Sequence, residues 1–340
     1  PVQRELRFEG SLPQREVTMT QTYQSFLHLD RHRQGVILMS LSILFFATNS
    51  LVVKAAGSLP GVNGWTATAL RGFVGLVIVM VFYWPRRQFE PAHLVTRPLL
   101  ILRGILGTIG TVIFYISLFH LGAGRAVLIA CTYTVFGTVL AAIFLKEKLR
   151  PMQIGWMALS LLGLTLITGI WQGGGSLTFY DGLAVVGALA AGGVVVTIRR
   201  LHHTETTGTI YSAQCFYGLL FVTPPVALDA PAFSLLALVI MVEASALVSL
   251  GQLTMTRAYR DMPVAQGASM QLAMPVVTAI GSALFLGESF STLDVIGAGM
   301  IVFGCLQMVR LKYARPDPVG DELKASVNEP LPQPIGRARR

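Results

Sequence analysis

Ten stretches of about 20 residues, each free or nearly free of charge, run through the chain at about 34–56, 64–84, 99–119, 124–145, 152–171, 179–198, 208–228, 233–256, 264–286 and 292–311. Crossing roughly 30 Å of hydrocarbon at 1.5 Å per helical residue takes about that length. Inside lipid every backbone N–H and C=O must find its partner within the chain, which leaves helices or closed barrels. A barrel would show segments of about ten residues with alternating polarity, and no such pattern runs through this sequence. The expected fold class is all-α, a polytopic membrane protein with ten transmembrane helices. Composition agrees: 53% of residues are apolar, 13% are charged, and the mean hydropathy is +0.62, values outside those of a soluble domain.

The net charge of +9 would suit a nucleic acid, but the placement of the charge decides against that partner. With both ends of the chain in the cytoplasm, all but Lys54, Arg71 and Arg125 of the 26 Lys and Arg residues fall on the cytoplasmic side, as the positive-inside rule requires. A multi-pass protein of the bacterial inner membrane, with both termini cytoplasmic and lipid as its surroundings, is the expectation. Tyr83 and Trp84 mark an inner aromatic belt, and Trp65, Trp171 and Tyr180 an outer one. The three cysteines, Cys131, Cys215 and Cys305, fall inside spans, so no disulfide is expected. Residues 1–33 read as a cytoplasmic polar tail, with Met19 a candidate start, and the first span serves as the insertion signal. Residues 315–340 carry five prolines and few large apolar side chains, the composition of a disordered cytoplasmic tail.

The chain also repeats itself. Ala142-Ile143-Phe144-Leu145-Lys146-Glu147 closes one apolar run and Ala283-Leu284-Phe285-Leu286-Gly287-Glu288 closes another. At an offset of 141, Gly110 faces Gly251, Thr111 faces Gln252 and Gly163 faces Gly304; at 143, Arg71-Gly72-Phe73 lies on Gln214-Cys215-Phe216. Residues 34–171 and 179–311 then form two copies of five spans each. An odd number of spans per copy inverts the second copy, an architecture that secondary carriers use for alternating access.

On these residues the chain resembles the drug/metabolite transporter superfamily, in its ten-span form built from two EamA-type repeats. The resemblance rests on the paired endings Phe144-Leu145-Lys146-Glu147 and Phe285-Leu286-Gly287-Glu288, each followed by a Gly-rich fifth span. Ala47-Thr48-Asn49 with Lys54, Ala69-Leu70-Arg71, and Thr256-Arg257-Ala258-Tyr259 leading into Met262-Pro263-Val264-Ala265 add to it. It covers about 34–311 and departs at Thr134, where proline is frequent, and at Glu243, where an apolar or small residue is usual. The resemblance implies a secondary active transporter of a small polar or amphipathic metabolite, amino-acid-like or related, with export favoured over import or exchange. It implies no enzyme activity and no cofactor, and makes protons a candidate coupling ion. A cavity formed by the first four spans of each copy is also implied.

Charge and amides inside the spans name the candidate site. Glu243 lies near the middle of the eighth span, where a carboxylate costs roughly 2.5–3.5 kcal/mol to insert and tends to face the bundle interior. Arg71, in the second span, is its expected partner or a binder of substrate carboxylate. Asn49, Tyr115, Tyr133, Gln214, Gln252 and Gln271 put amide or phenol groups well inside spans one, three, four, seven, eight and nine, and the cavity that the resemblance implies makes them candidate site residues; hydrogen bonding between helices is the alternative role for each. Thr108, Thr111, Phe114, Phe136 and Phe216 could line the same cavity, but Thr and aromatic residues inside a span more often pack, and they are left out of the site. Arg103 is read as an anchor that snorkels to the inner surface, and Glu147 and Glu288 as anchors at span ends. Gly104, Gly107 and Gly110 offer a small-residue face, and Pro275 predicts a kink in the ninth span. Ser291 and Asp294 have the spacing of a capping box.

Two other classes are weighed. An intramembrane enzyme with Glu243 and His120 as acid and base would need them at one depth, and they stand at different depths. A passive pore would be lined by a ring of like residues. His120, His202 and His203 lack a metal-ligand pattern, and no phosphate-cradling Gly-Lys-Ser/Thr loop appears.

Overall fold

The computed structural model describes residues 30–55, 64–121, 123–168, 177–228, 234–287 and 291–311. These form α1 (Arg31–Ala55), α2 (Gly64–Phe82), the single turn α3 (His93–Thr96), α4 (Pro98–Leu121), α5 (Ala123–Cys131) and α6 (Tyr133–Phe144). The chain continues with α7 (Pro151–Thr168), α8 (Phe179–Leu201), α9 (Thr207–Leu228), α10 (Leu235–Ala258), α11 (Val264–Gln271), α12 (Met274–Leu286) and α13 (Thr292–Arg310). No strand occurs among the described residues, and the protein is an all-α polytopic membrane protein. Met19, the tail 315–340 and Glu288 lie outside the described residues, as does the side chain of Lys54.

Ten spans are expected, and among the described residues nine segments are both long and apolar enough to cross a membrane. The remaining long helix, α9, has 22 residues and two internal prolines. It also carries Thr207, Thr209, Tyr211, Ser212 and Gln214, so its length matches a span where its composition does not.

The helices of the first half pack chiefly on those of the second. Helix α1 lies against α10 and α12, α2 against α9 and α10, α4 against α8 and α9, and α6 against α8 and α11. The pattern along α10 explains this. Met241, Ser245, Ser249, Gln252 and Thr256 recur every three or four residues and are buried, whereas Leu236, Val239, Val242, Glu243 and Leu250 are exposed; the two sets occupy opposite sides of one helix. A largely apolar exterior, broken on α10 by Glu243, suits lipid, which supplies no drive to hide Leu or Phe. Helices α7 and α13 cross where Gly163 meets Gly297: a Cβ on either would stand 2.5 Å from the other's carbonyl oxygen, so only glycine permits this approach.

Two membrane-crossing segments are interrupted. Between α5 and α6 the chain makes a tighter turn, Thr132 N–H to Ile129 O at 3.1 Å, and between α11 and α12 Ala273 N–H donates to Met270 O at 3.0 Å. Thr132 and Ala273 correspond at the offset of 141. The second break carries the expected proline, with Pro275 seated in the first turn of α12. The first has none; there the hydroxyls of Thr132 and Thr134 bond back to the carbonyls of Ile129 and Cys131 at 2.6 and 3.0 Å. Such bonds compete with the helix ladder.

The capping box at Ser291 forms as expected, with Ser291 N–H to Asp294 Oδ2 at 2.8 Å and Asp294 N–H to Ser291 Oγ at 3.2 Å. A second box, Thr178 with Asp181, opens α8, and Asp181 also takes Arg125 Nε at 2.6 Å. The first turn of α1 and the last of α13 lie at one end of the bundle: His32 and the Val309 carbonyl both meet Gln266. This is termed the terminal end.

Candidate functional site

A cavity of about 410 Å³ lies between the two halves of the chain. Its size is that of a small-molecule site. Seven of the eight residues expected from sequence line it: Asn49 from α1, Arg71 from α2, Tyr115 from α4, Tyr133 from the start of α6, Gln214 from α9, Gln252 from α10 and Gln271 from the end of α11. Tyr133 and Gln271 stand at the two helix breaks. Away from the terminal end the cavity reaches Ser50, Ser117, Ala126 and Ala184; towards that end it is floored by Gln214, Gln252, Met255 and Gln271.

Arg71 is the only formally charged residue among the described lining residues. Its Nη2 donates to Gln252 Oε1 at 3.4 Å. Gln271 Nε2 donates to Ser42 Oγ at 3.3 Å, and Ser42 in turn donates to the Gly251 carbonyl at 2.8 Å. The polar groups are therefore tied to neighbouring helices of the other half, which keeps their geometry fixed.

The expected Arg71–Glu243 pair does not form. Glu243 lies on the exposed side of α10, with no hydrogen-bond or ion-pair partner among the described residues. Nine residues separate it from Gln252, or about two and a half turns, which puts the two on opposite sides of the helix. Depth in the span was legible and helix phase was not. Arg103 also departs from expectation. Far from snorkelling, it is 0% exposed, and its Nη2 donates to Gln214 Oε1 at 2.9 Å. The amide of α9 holds the guanidinium inside, where Gly107 leaves room for it: a Cβ there would stand 2.5 Å from Arg103 Nη1.

Thr111 and Phe114, read as packing, line the cavity, and Thr108 lines a smaller one beside it; Phe136 and Phe216 line neither. Behind the floor, Tyr259 and Met262 are fully buried. There Glu147 is no local anchor: its carboxylate takes Arg199 Nε at 2.6 Å and the Val264 N–H at 3.1 Å, joining the end of α6 to α8 and α11. Arg199 Nη1 also donates to the carbonyls of Tyr259 and Met262. This cluster closes the terminal end. Burial pushes the Glu147 carboxyl above its ordinary range, against the opposing pull of Arg199 and the Val264 N–H. His202, just past α8, is lowered to about 4 by burial, with Arg257 and Arg260 adding to the effect and the Thr256 carbonyl opposing it. His120 stacks on Tyr180 with ring centroids 3.9 Å apart, and no grouping of metal ligands occurs among the described residues.

The sequence matches the model of the EamA-like transporter family twice, over residues 33–169 and 178–310. The chain belongs to the EamA-like transporter family. It is 28% identical over 293 residues to the pseudopaline exporter CntI of Pseudomonas aeruginosa strain UCBPP-PA14, covering 84% of this chain and 99% of that one. It is 24% identical over 276 residues to the threonine/homoserine exporter RhtA of Escherichia coli K12, covering 78% and 88%. A crystal structure at 18% identity superposes with a TM-score of 0.69, over 83% of this chain and all of that one; the likeness is one of fold.

Proposed function

We propose that this protein exports a small polar or amphipathic metabolite across the bacterial inner membrane, with both termini cytoplasmic and α9 completing ten spans. Residues 34–171 and 179–311 rock against each other about the central cavity. The observation that carries this reading is the cavity itself, built from both halves and walled by Asn49, Arg71, Tyr115, Tyr133, Gln214, Gln252 and Gln271. These seven are the substrate site of the proposal. The names of the relatives, exporters of pseudopaline and of threonine and homoserine, support the direction and an amino-acid-like cargo.

The described lining residues include no carboxylate or imidazole. The test is metabolite profiling inside and outside cells that express the wild-type chain, Arg71→Gln or an empty vector at matched membrane levels. A compound depleted inside and enriched outside only with wild type supports the reading and names the cargo. Identical profiles in all three, repeated under starvation with uptake measured, remove it.

A further inference from the structure

Each of two glutamines in the cavity floor is held by a guanidinium. Arg103 Nη2 donates to Gln214 Oε1 at 2.9 Å, and Arg71 Nη2 donates to Gln252 Oε1 at 3.4 Å. A guanidinium can only donate, so it settles which end of each amide turns towards it. Both carbonyl oxygens are occupied, and both NH2 groups remain for the cavity side. Gln214 Nε2 reaches only Thr111 Oγ1, at a long 3.5 Å.

The two arginines have donors to spare. Nε and Nη1 of Arg103 have no partner among the described residues although the side chain is fully buried. Nη1 lies beneath the bare backbone of Gly107, where an added Cβ would stand 2.5 Å from it, and Gly107 lines the cavity. A side cavity of about 20 Å³, room for one water, shares Arg71, Thr111 and Gln214 with the main one and so brings together one member of each Arg–Gln pair. Two cations held at low polarity without a carboxylate are costly, and the matching ligand brings the missing negative charge.

We propose that Arg71, Arg103, Gln214 and Gln252 form a donor-only subsite for an anionic oxygen group of the cargo, a carboxylate or a phosphoryl. Arg103 is a positioning residue that keeps the Gln214 amide turned with its N–H groups outward. The inference rests on the proposed role of this cavity as the substrate site, and narrows its cargo to anions and zwitterions. A cargo that lacks the anionic group leaves both amide NH2 groups and the free guanidinium donors without acceptors.

The purified full chain in detergent is unfolded by heat with three probe mixtures: the twenty proteinogenic amino acids with small 2-hydroxy acids, the methyl esters of the same compounds, and small sugar phosphates. Wild type is expected to gain stability with the acids or the phosphates and not with the esters; which of the two acts tells carboxylate from phosphoryl. Gln214→Glu turns a donor into an acceptor but can pair with Arg103, so its ligand-free midpoint stays near wild type. Its apparent Kd for the active mixture rises roughly tenfold to a hundredfold. Arg103→Lys, which can still donate to Gln214, retains more of the ligand shift than Arg103→Met.

Esters that stabilise as well as acids overturn the proposal, as does Gln214→Glu binding like wild type, or no shift with any mixture. The two readings fail separately. An exported compound without an anionic group sinks the subsite and leaves export standing; acids that bind to a chain that moves nothing outward do the reverse.

Discussion

Replacing Glu147 with alanine tests the closure of the terminal end. Only 6% of the Glu147 side chain is exposed, and it holds Arg199 Nε at 2.6 Å and the Val264 N–H at 3.1 Å. Removing one member of a buried pair costs about 3–5 kcal/mol, because the other charge stays buried. Arg199 keeps the carbonyls of Tyr259 and Met262 at 2.9 and 2.7 Å, so the loss falls nearer about 2–3 kcal/mol. At 1.4 kcal/mol per tenfold, the closed arrangement gives way roughly 30- to 150-fold more often. The reporter is Met262→Cys, fully buried beside the pair, in a chain whose three native cysteines are serine. A membrane-impermeant maleimide is applied from the terminal side of sealed vesicles, and labelling is expected to speed up by that factor in Glu147→Ala. A rate within threefold of the parent would falsify the assignment of Glu147 as a closing contact.

His202 makes the same closure sensitive to pH: its value of about 4 lies below the ordinary 6.5, so its contribution is present above pH 6.5 and lost as pH falls towards 4. At 1.36 kcal/mol per unit this is at most ~3 kcal/mol; labelling of Met262→Cys, divided by the rate with a small free thiol at the same pH to remove the loss of thiolate, should rise across that window, and His202→Gln should flatten the rise. Glu147, raised by burial, acts with the opposite sign, adding closure at low pH and losing it as pH rises through its raised value, so the His202 limb is cleanest in Glu147→Ala. Glu243→Leu should raise the unfolding midpoint and leave export intact, since it removes a lipid-facing carboxylate with an insertion cost of roughly 2.5–3.5 kcal/mol; lost export at normal expression contradicts the placement of Glu243 outside the site. Gly163→Val, whose Cβ meets the Gly297 carbonyl, should cost about 1–3 kcal/mol and lower the midpoint by several degrees. Gly299→Ala, where a Cβ meets nothing within 4 Å, should not.

Much of the site was legible because amides and phenols in hydrocarbon must find partners. That rule, together with the cavity that the family resemblance implies, picked out Asn49, Tyr115, Tyr133, Gln214, Gln252 and Gln271, which line the cavity. It failed at Glu243 because a span that is apolar nearly all round carries little phase information, and lipid tolerates an exposed Leu on any side. Ser245, Ser249, Gln252 and Thr256, spaced three or four apart, were the signal that could have turned α10 the right way. Arg103 misled through its nearness to a span end; its partner Gln214 lies 111 residues on, and no local pattern announces such a contact. The break before Tyr133 was hidden for a chemical reason, since threonine hydroxyls do there what proline does in the first turn of α12.

The paired breaks at Thr132 and Ala273 bear on how readily the halves can tilt. Bending an unbroken helix in lipid strands backbone groups that have nowhere else to bond, at several kcal/mol each. Here the regular ladder has already been surrendered at rest, at matching places beside the cavity, and the shorter turn bonds of Thr132 and Ala273 take its place. Each crossing segment thus behaves as two stiff rods on a pivot. Swinging α6 and α11, the rods at the terminal end, would break side-chain contacts such as Glu147 with Arg199 and strand no further backbone group, so those contacts and not the peptide backbone set the barrier.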